Sequence, residues 1–143
     1  MSIRLLLRKS KIVLLIFISL MCVAPVASQI KNDALKDIWL NQKNSDSLRF
    51  NAIKDYYYKN TYNKPEKVIS LTEYHYQLAK EKGSVKQMAT ALNERSYAYY
   101  IKGDLNTSIE VLQQSISLYK KINEPKNLAA IQSNIGSIYS EQK

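Results

Sequence analysis

GDLNTSIEVLQQSISLYKKIN, residues 103–123, decides the fold. The stretch opens on Gly103 and closes on Asn123, and between them Leu105, Ile109, Leu112, Ile116 and Tyr119 recur at alternating steps of four and three. That is one continuous apolar stripe on a helix of about five turns. The same punctuation extends outward: Asn63, Gly83, Gly103 and Asn123 stand at a strict interval of 20. Gly and Asn most readily take the left-handed conformation that ends a helix. From about residue 45 the chain therefore reads as a row of helices, two to a 40-residue unit. Repeats of this size define helical solenoids, which bind other proteins far more often than they catalyse reactions.

Sliding the sequence by 40 tests the unit. Ile69, Leu78 and Lys80 fall on Ile109, Leu118 and Lys120, and Lys86, Ala89 and Tyr99 fall on Lys126, Ala129 and Tyr139. Identities are few, but the apolar phase carries over: Ile69, Thr72, Tyr76 and Ala79 repeat the stripe in more polar form. Helix starts agree with this register. Ser84 with Gln87 reads as a capping box, Asp104 as an N-cap, and Pro65 and Pro125 sit in first turns, where a missing amide hydrogen costs nothing. Lys80, Lys82 and Lys102 crowd the last turns, where cations meet the negative end of the helix dipole.

The amino-terminal end reads differently. Arg4, Arg8, Lys9 and Lys11 precede an apolar run from Ile12 to Ala27, and Val26, Ala27 and Ser28 supply the small residues a signal peptidase needs. Residues 1–28 are expected to be a secretory signal peptide cleaved near Ser28/Gln29. The run has 16 residues, short of the ~20 that span a bilayer. The expected location is the periplasm, with anchorage in the inner membrane facing the periplasm as the alternative.

The net charge is +9, from 21 Lys+Arg against 12 Asp+Glu. Residues 1–28 hold four of the basic residues and none of the acidic ones, which leaves 17 against 12, or +5. The remaining charges are scattered as on solvated helix faces, so no nucleic-acid partner is expected. The only cysteine, Cys22, lies in the signal, which excludes a disulfide, a thiolate metal site and a cysteine nucleophile from the rest. The only histidine, His75, falls where the pattern places a helix contact, and reads as a partly buried or rim residue without metal-ligating partners. Gly83, Gly103 and Gly136 are too far apart for a phosphate loop, and the acidic pairs Glu66/Glu73 and Asp33/Asp37 read as solvated helix surface. No enzymatic activity, metal or cofactor is expected.

Tyrosines number eleven, against two Phe and one Trp. Tyr combines a large apolar ring with a polar tip, which suits both cores and recognition grooves. Tyr76, Tyr99 and Tyr119 lie in the apolar stripes and are expected to pack, whereas Tyr97 and Tyr100 are expected to face outward.

On these residues the chain resembles tetratricopeptide repeat proteins, in a version with a 40-residue unit rather than the usual ~34. Asn134-Ile135-Gly136-Ser137-Ile138-Tyr139 is similar to the family's first-helix signature, where Gly lets two helices approach and Tyr follows three residues later. The middle unit carries it as Ala91-Leu92-Asn93 through Ser96 and Tyr99, then Gly103-Asp104-Leu105, with Ser108 and Ser115 where the family prefers Ala. Residues 46–82 form a divergent first repeat, in which Tyr56 stands where Ser96 and Gly136 stand. Residues 83–122 form the second repeat and 123–143 the first helix of an incomplete third, with 29–45 a short helix and linker. Leu128, Ile131, Ile135 and Ile138 on that last helix await a partner helix, so the chain is expected to be part of a longer protein or to self-associate through this edge.

The resemblance implies an all-α, right-handed solenoid of helical hairpins preceded by a signal peptide. It implies a protein- or peptide-binding scaffold whose first helices line a concave face. Asn93, Tyr97, Tyr100, Ser133, Asn134 and Ser137 are the expected peptide-binding residues. The arrangement also resembles the amino-terminal region of exported repeat proteins of Bacteroidetes-type bacteria. Many of these are sensory parts of membrane signalling proteins with a nucleotide cyclase, histidine kinase or regulator as output, which is the alternative reading.

Overall fold

The structure, a computed structural model, describes residues 34–141. The expected signal peptide and its cleavage point lie outside the described residues. Among those residues all regular secondary structure is helical: α1 (Ala34–Leu40), α2 (Asp46–Asn60), α3 (Pro65–Glu81), α4 (Val85–Ile101), α5 (Leu105–Lys121) and α6 (Pro125–Glu141).

Three of the four turns between the longer helices share one mechanism. Gly83, Gly103 and Asn123 have φ of 66°, 81° and 53°. At each, the residue after the turn donates its amide to the carbonyl five residues back: Ser84 to Ala79, Asp104 to Tyr99 and Glu124 to Tyr119. The turn residue itself donates three back, to Lys80, Tyr100 and Lys120. This is the Schellman pair of bonds, which satisfies carbonyls the helix leaves open. It recurs at intervals of 20. Asn63 departs from the expectation, since it does not take positive φ. Helix α2 ends instead on side chains: Asn60 Nδ2 donates to the Tyr56 carbonyl at 2.9 Å and Thr61 Oγ1 to the Tyr57 carbonyl at 2.7 Å.

Helix starts are capped by Ser45, Ser84 and Asp104, which accept from the amides of Leu48, Gln87 and Thr107. The capping box expected at Ser84 is half made. Gln87 does not reach back, because its Oε1 is 3.1 Å from His75 Nε2.

Each helix packs chiefly on its neighbours in the chain. Small buried serines bring α4 and α5 together. Ser108 Oγ donates to the Ser96 carbonyl at 3.0 Å, and Ser115 Oγ donates to the Ala89 carbonyl at 2.8 Å. Positions rise along one helix as they fall along the other, so the pair is antiparallel. Three ion pairs tie the start of one helix to the end of the next: Asp46–Lys82, Glu66–Lys102 and Lys86–Glu124 at 3.2, 2.6 and 2.6 Å. Lys82 and Lys102 thus do more than face a dipole. Exposed pairs of this kind are worth ~0–1 kcal/mol each.

The amino-terminal helices bury Trp39, Phe50, Ile53, Tyr56 and Tyr57. Trp39 meets Tyr56 edge to face at 5.6 Å, and the buried Arg49 guanidinium donates through Nε to the Trp39 carbonyl at 2.8 Å. A second cluster joins Ala89, Ile109, Leu112, Tyr119, Ile131 and Ile138 across α4, α5 and α6. Leu128 and Ile135 are only partly buried against it, and Tyr139 is half exposed. A Cβ on Gly136 would meet nothing within 4 Å, so no close helix approach is made there.

His75 is not a rim residue. It is fully buried between the rings of Phe50 and Tyr57, at centroid distances of 5.3 and 5.9 Å. Its Nδ1 lies 3.0 Å from the Tyr57 hydroxyl. A neutral imidazole with its proton on Nε2 satisfies both neighbours, donating to Gln87 Oε1 and accepting from Tyr57. Burial is the main reason that the pKa of His75 falls to about 4.

Candidate functional site

A groove of about 450 Å³ opens between α4 and α6, floored by α5. Helix α4 contributes Asn93, Ser96, Tyr97, Tyr100 and Ile101 at steps of three, one, three and one, which a 3.6-residue period gathers on one side. Asn134, Ser137 and Ile138 come from α6, and Ser108 and Leu112 from α5. Tyr62 reaches in from the turn after α2.

Five of the six residues expected from the sequence line this groove: Asn93, Tyr97, Tyr100, Asn134 and Ser137. Ser133 does not line it. It is exposed on α6, and its carbonyl accepts from the Ser137 hydroxyl at 3.2 Å. Tyr62 was missed. It sits in a turn, where helical periodicity says nothing about side-chain direction.

The tyrosines form a connected rim. The Tyr62 and Tyr97 hydroxyls are hydrogen bonded and their rings meet edge to face at 6.0 Å. Tyr97 stacks on Tyr100, with centroids 6.0 Å apart and planes 19° from parallel. Tyr100 Oη donates to Glu141 Oε1 at 2.6 Å. The chain of contacts runs from the turn after α2, across α4, to the end of α6. The bond to Tyr62 is the main cause that pushes Tyr97 up to about 12, and the bond to Glu141 the main cause that raises Tyr100. Both phenols keep their protons, and Tyr100 is the donor in its bond to Glu141.

The polar groups on the floor are satisfied. The Ser96 and Ser108 hydroxyls lie 2.8 Å apart, and each is buried. Asn93 is the exception: its Oδ1 is buried and has no hydrogen-bond partner. A buried acceptor left unpaired costs about 1–3 kcal/mol. Beside it on α4, Glu94 has its carboxyl held above the usual range by burial, opposed by the charge of Lys54.

Among the described residues, no group of three His, Cys, Asp or Glu is placed to hold a metal ion. No described helix is long and apolar enough to cross a membrane. Comparison with known proteins returns no matching family model, no matching curated protein and no matching solved structure.

Proposed function

We propose that this chain is an exported helical-repeat protein of the tetratricopeptide kind, which binds a protein or peptide segment in the groove between α4 and α6. The observation that carries the reading is the groove itself, lined by Asn93 and Asn134 and rimmed by Tyr62, Tyr97 and Tyr100. A side-chain amide offers a donor and an acceptor together, the complement of a peptide unit. The aromatic rings supply large contact area at low conformational cost. The 20-residue recurrence of the turns, and ion pairs that start at residues 46, 66 and 86, support an array of hairpins, with α2, α4 and α6 as the first helices of successive units; the right hand of that array is part of the proposal. Export through residues 1–28 places the groove in the periplasm. The role is recognition rather than catalysis, without a cofactor.

The test is site-specific photocrosslinking in cells. Ser137→p-benzoylphenylalanine, in the groove, is expected to give a discrete adduct that Tyr97→Ala removes. Gln113→p-benzoylphenylalanine, on the exposed side of α5, is expected to give none. Equal adducts from both positions, or adducts indifferent to Tyr97→Ala, sink the reading.

A further inference from the structure

We propose that the groove seats a basic side chain, the ammonium of a lysine or the guanidinium of an arginine in an extended polypeptide, against the Tyr97–Tyr100 stack, with Glu141 as its acceptor. This rests on the peptide-binding reading and specifies the residue that the peptide must carry.

The charge around the groove favours a cation. The chain holds 21 Lys+Arg against 12 Asp+Glu, yet no Lys or Arg lines the groove. The charge bound to its rim is the Glu141 carboxylate, which takes one hydrogen bond from Tyr100. A carboxylate has about four acceptor positions, so capacity remains. Glu94 adds a second acidic field that reaches Tyr97, although Lys54 of α2 opposes it. Stacked phenol rings present electron-rich faces, and a cation over such a face is attracted by the ring quadrupole. Lys and Arg are the side chains that bring donors alone, several at once, with no acceptor to strand.

The competing occupants fit less well. An acidic ligand would set its charge against Glu141 with no cation in the lining to answer it. An apolar side chain would cover the tyrosines and leave the remaining acceptor positions of Glu141 unused. A volume of about 450 Å³ exceeds one side chain, so the groove also admits the backbone that carries it.

The experiment selects short random peptides, displayed on phage, against the immobilised full chain, and measures the winners by fluorescence anisotropy. Winners are expected to share a Lys or Arg. Changing that residue to Gln should weaken binding about tenfold, and Glu141→Gln in the protein about fivefold. Tyr97→Phe, which keeps the ring face, should bind nearly as well as the parent, while Tyr97→Leu should not. Circular dichroism confirms that each variant is folded. Winners without a basic residue, or binding indifferent to its replacement, overturn the cation seat and leave the peptide-binding reading standing. No winners at all, or winners unaffected by Asn93→Ala and Ser137→Trp, overturn both. A concentration-dependent dimer that Ser137→Trp dissolves would give the groove to a second copy of the chain and overturn the proposal.

Discussion

The side-chain hydroxyls of Ser96 and Ser108 stand 2.8 Å apart in a fully buried contact between α4 and α5. Ser108 Oγ is also 3.0 Å from the Ser96 carbonyl, so a side chain of one helix reaches the backbone of the other. Larger residues at either position would force the helices apart. Ser108→Val is expected to destabilise the protein by about 2–3 kcal/mol, through overpacking and an unpaired Ser96 hydroxyl. Ser108→Ala should cost only about 1 kcal/mol. Urea unfolding monitored by circular dichroism measures both, and equal costs would show that packing is loose here.

Stability is expected to fall in mild acid because of His75. Its pKa in the folded chain is about 4, below the ordinary 6.5, so the unfolded chain binds the proton more readily between those values. The contribution is fully present above pH ~6.5 and is lost as pH falls towards 4, with a total near 3 kcal/mol. Glu94, with its carboxyl raised by burial, works in the opposite direction. Thermal melts at pH 4–8 should show the slope, and His75→Leu should flatten it. An unchanged slope in that variant would assign acid sensitivity to other groups.

The turn residues make a conformational prediction free of steric confusion. A Cβ at Gly83 or Gly103 meets nothing within 4 Å, so Gly→Ala there tests positive φ alone. Gly103→Ala should cost about 1–2 kcal/mol. Asn123→Gly, at the equivalent position, should stabilise by a few tenths to about 1 kcal/mol. Melting temperatures moving the other way would mean that the turn is not held by its backbone conformation.

Helix α6 should exchange its amides faster than α4 and α5. It buries only Ile131 and Ile138 fully, and much of its surface is exposed. Tyr100→Phe, which removes the bond to Glu141, should speed exchange further near the end of α6 while leaving α4 protected. Hydrogen exchange by mass spectrometry reads both effects. Equal protection of α6 and α5 would contradict the first.

What the sequence made legible was whatever repeats. Gly83, Gly103 and Asn123 announce their turns because left-handed backbone selects those residue types, and the stripe from Leu105 to Tyr119 announces α5 because burial selects apolar residues at helical spacing. Asn63 misled because α2 closes on the Asn60 and Thr61 side chains, and local hydrogen bonding of that kind leaves no period. Gln87 misled because a buried histidine competes for its amide. In the site, the face of α4 was readable from its period, and so were Asn134 and Ser137. Ser133 lies on α6, just off the side that Asn134 and Ser137 present to the groove. Tyr62 joins Tyr97 across 35 residues of chain, and only folding brings the two together.

The prevalence of contacts between consecutive helices has a kinetic consequence. A turn of a few residues closes each helical hairpin, so little chain entropy is lost before packing begins to compensate. Chains built from such local contacts fold fast. The α4–α5 hairpin, with its Schellman turn at Gly103 and its serine seam, is expected to form early. Growth from it can run both ways, toward Trp39 and toward Tyr139, one helix at a time. Such a hairpin can form as soon as both of its helices are available, whereas passage through a narrow export channel would require an unfolded strand. If the chain is exported as proposed, speed of folding and export compete, and whatever delays collapse of residues 85–121 decides on which side of the membrane the groove is assembled.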